Sequence, residues 1–281
     1  MSVKIITDSG SDISQEYAAQ IGVRVIPLVF RFSDGEYLDG VDMSNHEFYE
    51  RLENEEELPK TSQISPYRYS EVFNEETADG SDAIYISISS GVSGCFQSAT
   101  LAAKEFDGKV KVLDGQQFCI SLRILVEYAA RLSKEGKSAD EIYDLLVEAQ
   151  KKVRIIAVFA TLDNLKKGGR ISATAAFVGE VLSIKPYLTI TDGVVNILGR
   201  VKGMKKGYKA MRDYILAEGG IDMSMPYSVA YSGTDSSNID GFIEENRDLY
   251  DNLPEIPLSY VGATVGTYAG PGAIATAYFV K

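Results

Sequence analysis

The sequence predicts an α/β protein in two parts: a parallel-sheet α/β half, then an α+β half with a mainly antiparallel sheet. Three observations carry the fold class. Short apolar, β-rich runs alternate with helical patterns through the first half, which is the order of a parallel sheet. After Arg154 that order stops, and two β-like runs, Tyr187 to Thr191 and Val194 to Val201, flank Asp192-Gly193, a pair suited to a tight hairpin turn with positive φ. The chain has 281 residues, 45% hydrophobic and 24% charged, an ordinary globular composition at a length that suits two moderate domains. The expected division is 1–153 and 154–281.

Taken in order, Val3 to Thr7 is the first strand and Val23 to Phe30 the second. Residues 31 to 80 form an irregular excursion, with an acidic run of Glu53, Glu55, Glu56 and Glu57 that reads as a solvated face. Ala83 to Ile88 and Val110 to Leu113 resume the strands. Phe96, Ala99, Ala103 and Phe106 fall at helical spacing, as do Ile142, Leu145, Leu146 and Ala149. In the second half, helical patterns cover about 204 to 218 and 236 to 247. Strand-like runs follow at Ser228 to Tyr231, Ile256 to Val261 and Ile274 to Val280.

Charge and rare residues exclude several functions. With 28 Lys+Arg against 40 Asp+Glu the formal charge is -12, a field that repels nucleic-acid backbones and anionic lipid surfaces. Cys95 and Cys119 form no CxxC pair, and His46 is the single histidine, so the common zinc constellations and a Ser-His-Asp triad lack their parts. No metal or cofactor is expected. His46 follows Ser44, a candidate helix N-cap, and reads as a surface residue. No window approaches a membrane span and no signal segment opens the chain, so a cytoplasmic protein without integral membrane association is the expectation. Gly270 to Ala275 imitates a dinucleotide fingerprint, but no strand-loop-helix context surrounds it.

The informative segment is Ser89-Ser90-Gly91-Val92-Ser93-Gly94, between a strand and a helix. Free backbone N–H groups, a favourable helix dipole and small hydroxyls suit a carboxylate or phosphate there, with Ser93 placed to donate. The plainer reading is that Ser93 caps the helix and the glycines make the turn. Thr61-Ser62-Gln63-Ile64-Ser65-Pro66 is a second hydroxyl-rich segment before a helical pattern, and alone it is also satisfied by a capping turn.

Read with Ile6-Thr7-Asp8-Ser9, Gln97-Ser98-Ala99, Gly168-Gly169-Arg170-Ile171-Ser172 and Gly266 to Gly272, these segments make the whole chain resemble the DegV family. Each motif is weak singly; together, in order, they are specific. The resemblance implies a bacterial carrier whose two domains close over an apolar tunnel holding one long-chain fatty acid. It has no catalytic machinery of its own. A separate ATP-using fatty-acid kinase subunit would phosphorylate the bound acid on its way to phospholipid synthesis.

Carried over by motif, Thr61 and Ser93 bind the carboxylate and Arg170 contacts the head group or the partner. Ser9, Gly91, Gly94 and Thr267 supply loop backbone nearby. The last loop departs from the family, with Tyr268 where a histidine is common. A phenol can donate a hydrogen bond to the carboxylate but offers no positive form near pH 7, which puts phosphorylation in doubt. Phe30, Ile120, Phe159, Phe177, Ile184 and Ile190 are candidates for the apolar lining. Two alternatives stand beside the carrier. The first half is also distantly similar to the substrate domain of dihydroxyacetone kinase, which anchors its substrate through a histidine that no motif assigns to His46. A purely structural module would have its tunnel filled by side chains.

Overall fold

A computed structural model describes residues 3–171 and 183–281. The chain begins with β1 (Lys4–Asp8), a 3-10 turn at Ser9–Ser11, α1 (Gln15–Ile21) and β2 (Val23–Ile26). The expected single strand from Val23 to Phe30 breaks at Pro27, which lacks an N–H and disfavours further regular pairing. Its second part becomes β3 (Val29–Phe32), in a different sheet, after the Leu28 N–H donates to Ser9 Oγ. The excursion that follows is not irregular. It holds β4 (Gly35–Leu38), α2 (Asn45–Asn54), β5 (Lys60–Ser62) and α3 (Pro66–Thr77), and β4-β3-β5 form a small antiparallel sheet. α2 starts at Ser44 with a full capping box to Glu47, as its sequence indicates.

The chain then returns to β6 (Ala83–Ser87), α4 (Cys95–Ala103) and β7 (Val110–Asp114), which complete the parallel sheet β2-β1-β6-β7. Next come α5 (Ile120–Lys134) and α6 (Ala139–Ala149). Periodicity does not announce α5, because ten of its fifteen residues are buried on nearly every side. It packs against β1 of the first sheet and against β8, β11 and β13 of the second, so one apolar core runs through both. A helix buried all round loses the polar stripe by which amphipathic helices are read.

The second half contains β8 (Val153–Val158), α7 (Asp163–Lys167), β9 (Ile184–Thr191), β10 (Val194–Lys202), α8 (Met204–Ala217), β11 (Ser228–Tyr231), α9 (Ser237–Glu245), β12 (Leu258–Tyr260), α10 (Ala263–Ala269) and β13 (Ile274–Phe279). Its sheet runs β10-β9-β8-β13-β11-β12, antiparallel except for the β11–β12 pair. The β9–β10 turn has φ of 51° at Asp192 and 77° at Gly193, as the Asp-Gly pair requires. That turn is fastened to the first half: Ser89 Oγ donates to the Gly193 carbonyl at 2.7 Å. No helix among the described residues is long and apolar enough to cross a membrane.

Candidate functional site

The loops at the C-terminal ends of β2, β6 and β7 meet β5, α7, α10 and the β9–β10 hairpin around a cavity of about 240 Å³. One side is polar: Thr61, Ser62, Gln63, Ser93, Arg170 and Tyr268 all border it. Apart from Thr264 and Gly94 the rest is apolar, including Leu28, Ile88, Phe118, Phe159, Leu188 and Val265. A second, wholly apolar space of about 40 Å³ continues it, sharing Phe118, Phe159, Leu188, Val265 and Ala269, and reaching Ile190, Ala230 and Ala275 on the second sheet. The shape is a polar mouth with an apolar tail.

Local structure shows which of these hydroxyls are spent on capping helices. α4 is capped by Gly94 with no side-chain cap, so Ser93 is not spent on the helix; its Oγ only receives a long 3.4 Å contact from the Cys95 N–H. A Cβ at Gly94 would lie 1.7 Å from Gln63 Oε1, so a side chain there would displace the end of Gln63 from its place at the mouth. Thr61 and Ser62 lie on β5, and the cap of α3 is Ser65, with Pro66 in the first turn. Thr61 Oγ1 instead lies 2.6 Å from the Tyr268 hydroxyl.

The Gly-Gly-Arg motif resolves into three jobs. Gly168 leaves space for the Tyr268 ring, whose nearest carbon would be 2.3 Å from a Cβ. Gly169, at φ 70°, ends α7 in the left-handed conformation, with its N–H on Lys166 O and the Arg170 N–H on Leu165 O. Arg170 is thereby held at the mouth, its guanidinium carbon 4.4 Å from the centre of the Tyr268 ring and Nη1 donating to the Gly168 carbonyl. Ser172, the last residue of that motif, and Phe177, a lining candidate, lie outside the described residues.

The remaining expected residues are placed elsewhere. Ser9 does not border the mouth; its hydroxyl donates to Asp39 Oδ2 and accepts from the Leu28 N–H. Thr267 is fully buried, with Oγ1 donating to the Ala263 carbonyl within α10. Gly91 packs under the β9–β10 turn, where a Cβ would be 2.8 Å from the Gly193 carbonyl oxygen. Of the lining candidates, Phe159 and Ile190 border the cavities. Phe30 belongs to a separate aromatic cluster with Phe32 and Phe48, and Ile120 to the core. Ile184 is half-buried on β9 and borders neither space. His46 is exposed, 3.5 Å from Glu50.

Sequence reasoning missed a buried acidic set beneath the mouth. Asp39 receives the Ala263 and Thr264 N–H groups at 3.0 and 3.1 Å, capping α10 from another segment. Asp12 Oδ1 receives the Gly262 N–H at 2.9 Å. Asp8 receives the Gly10 and Ile88 N–H groups and the Tyr85 hydroxyl. Burial raises all three above the usual carboxylate range, Asp8 to about 6 and Asp12 to about 7, against the opposing pull of these hydrogen bonds. Their signal in the sequence is the Thr-Asp-Ser motif; nothing local tells that Asp39 will meet α10. Among the described residues no cluster of His, Cys, Asp and Glu could hold a metal ion.

A family model described as an uncharacterised protein of the DegV family matches residues 2–281. A DegV domain-containing protein of Caldanaerobacter subterraneus is 35% identical, over 96% of this chain and 96% of its own. Among solved structures, a DegV family protein from Thermus thermophilus, described by its fatty-acid binding, superposes with a TM-score of 0.89 at 31% identity, covering all of both chains. DegV from Bacillus subtilis, described as a fatty acid binding protein, does so with 0.84 at 28% identity, again over both whole chains.

Proposed function

The chain belongs to the DegV family, and from that premise we propose that it binds one long-chain fatty acid, carboxylate at the mouth and acyl chain in the apolar tail. The observation that carries the reading is a single cavity whose hydroxyls and one cation gather at one end while its continuation is entirely apolar. A fatty acid has that polarity and few metabolites do. Each methylene moved from water into the tail contributes about 0.8 kcal/mol, so a dozen or more outweigh the cost of association.

In this reading Ser93 donates to the carboxylate, and Thr61 does so with its hydroxyl oriented by Tyr268. Such charge-assisted bonds are stronger than neutral ones. Arg170 supplies the positive charge at the mouth that a tyrosine in place of histidine does not. The tyrosine ring holds that guanidinium in position, so the departure at 268 moves the cation's support rather than removing it. The chain itself acts as a cytoplasmic carrier, and a separate ATP-using kinase subunit phosphorylates the exposed carboxylate. A carboxylate at a mouth bordered by Arg170, rather than at the buried tail, is the arrangement such a partner needs.

The test is denaturing solvent extraction of freshly purified protein, with mass spectrometry of the extract. About one fatty acid per chain is the expected result. Its reproducible absence, persisting after incubation with mixed fatty acids, overturns the proposal.

A further inference from the structure

One polar side chain at the mouth still lacks a role. Gln63 borders the cavity together with Thr61, as expected of residues two apart on an extended segment, whose side chains face the same way. Its Nε2 donates to Ser98 Oγ at 3.0 Å, across 35 residues of chain. Ser98 is buried on α4, the helix that Ser93 and Gly94 precede. The end of a long side chain, which at an exposed position would keep its rotamer freedom, is thereby tied to the rim of the cavity. The glycine at 94 keeps that place open, since Gln63 Oε1 lies where its Cβ would project. Two motifs find a common purpose here: Thr61-Ser62-Gln63 supplies the amide, and Gln97-Ser98-Ala99 supplies its anchor.

Counting donors shows what the amide can add. A carboxylate offers about four acceptor sites. Ser93 and Thr61 have one hydroxyl hydrogen each, and Arg170 already spends Nη1 on the Gly168 carbonyl. Acceptors left empty in a partly enclosed carboxylate are costly, and an amide N–H is a suitable donor for them. The anchor permits it. A hydroxyl both donates and accepts, so Ser98 holds the amide in either of two orientations related by a half turn about Cγ–Cδ. In one, Nε2 donates to Ser98 and Oε1 lies beside Gly94. In the other, Oε1 accepts from Ser98 Oγ and Nε2 lies beside Gly94. The first presents an oxygen to the rim of the cavity, the second an N–H donor, and an arriving carboxylate favours the second.

Resting on the reading of the cavity as a fatty-acid site, we infer that Gln63 is a third carboxylate-binding residue, with Ser98 as the positioning residue that holds its amide at the mouth. The pair also sets specificity. An ionised acid gains a charge-assisted bond from Nε2, whereas an uncharged lipid with the same tail gains at most a neutral one. Gln63 therefore separates fatty acids from fatty alcohols, a distinction that the apolar tail cannot make.

Displacement of a fluorescent fatty acid from delipidated protein, with dodecanoate and with dodecanol as competitors, separates recognition of the head group from burial of the tail. Gln63→Ala should weaken dodecanoate by about tenfold or more, the worth of one charge-assisted bond, and leave dodecanol within about threefold. Gln63→Glu has nearly the same shape but sets a negative charge against the ligand. It should weaken dodecanoate further than Gln63→Ala does, and dodecanol no further. Ser98→Ala frees the amide without removing it and should show the same acid-specific loss at smaller size. Equal losses for acid and alcohol in Gln63→Ala would make Gln63 a packing residue of the rim; that result, or undiminished dodecanoate binding, overturns the inference and leaves the carrier reading intact. Failure of wild type to bind dodecanoate or any longer fatty acid overturns both.

Discussion

Two clefts open on the same network of loops, and the larger is the poorer candidate. The cleft bordered by Ser9, Asp12, Gln15, Asp39, Ser44, Asn45 and Arg123 has about 380 Å³, against about 240 Å³ for the cavity at Ser93 and Thr61. Both are rich in hydroxyls, and both touch the first turn of a helix. In the larger cleft, carboxylates of the chain already occupy the backbone N–H groups, since Asp12 and Asp39 take those of Gly262, Ala263 and Thr264. In the smaller, the start of α4 has no side-chain cap, Arg170 stands at the mouth, and an apolar space continues behind. An anion is drawn to donors left unused and repelled by carboxylates already in place; volume is secondary.

The strongest way to break that comparison is to empty both clefts of polar groups in turn. Thr61→Ala with Ser93→Ala removes the two charge-assisted bonds proposed above, each worth about 1.5 to 3 kcal/mol, so fatty-acid affinity should fall by about 100-fold or more. Gln15→Ala with Asn45→Ala, in the larger cleft, should leave it within about twofold. Displacement of a fluorescent fatty acid reports both, and comparable losses in the two variants would erase the distinction between the clefts.

A second effect sharpens the contrast through stability. Asp12 has a folded pKa of about 7, raised by burial above its ordinary value of 3.8. Folding therefore holds a proton that the unfolded chain has released. The stability this contributes is full below about pH 4 and is lost as pH rises to about 7. Asp12→Asn does not titrate, and asparagine tolerates the left-handed φ of 53° at this position. Relative to wild type, the variant should gain roughly 3 kcal/mol between pH 4 and pH 7 in urea unfolding. A difference independent of pH would mean that Asp12 is not held as a buried acid.

The smallest change is expected at the mouth. Arg170→Ala removes a half-buried cation and should weaken fatty-acid binding by about tenfold or less. Arg170→Lys keeps the charge but stacks less well on Tyr268, and should fall between. A loss from Arg170→Ala as large as that of the hydroxyl pair would make the cation, not the hydroxyls, the principal anchor.

Much of the mouth is legible in the sequence because its motifs are local: Ser93 and Gly94 open α4, Thr61 sits on a three-residue strand, and Gly168-Gly169-Arg170 closes a helix. What escapes is whatever depends on distant chain segments meeting. Ser9 belongs to a matching motif, yet it works by joining Leu28 to Asp39, and through Asp39 it seats the helix that carries Tyr268. Phe30 has the character of a tunnel wall but faces Phe48 after the break at Pro27. The fold class is legible from strand order and the Asp192-Gly193 hairpin, whereas α5 is hidden by its burial between two sheets. We place the division between the halves before residue 154 as one of topology, since the core does not stop there.

That shared helix also restricts how the two halves can move apart. Opening the halves like a clamshell would strip apolar cover from α5 along most of its length and break the core common to both sheets. Among the described residues the contacts around the mouth are local ones, such as the Ser89 hydroxyl on the hairpin turn, the Thr61–Tyr268 hydrogen bond and Arg170 stacked on that tyrosine ring. For the fatty acid proposed as cargo, exchange by local yielding of the rim would therefore cost less than separating the halves, and its residence time would be set at the door.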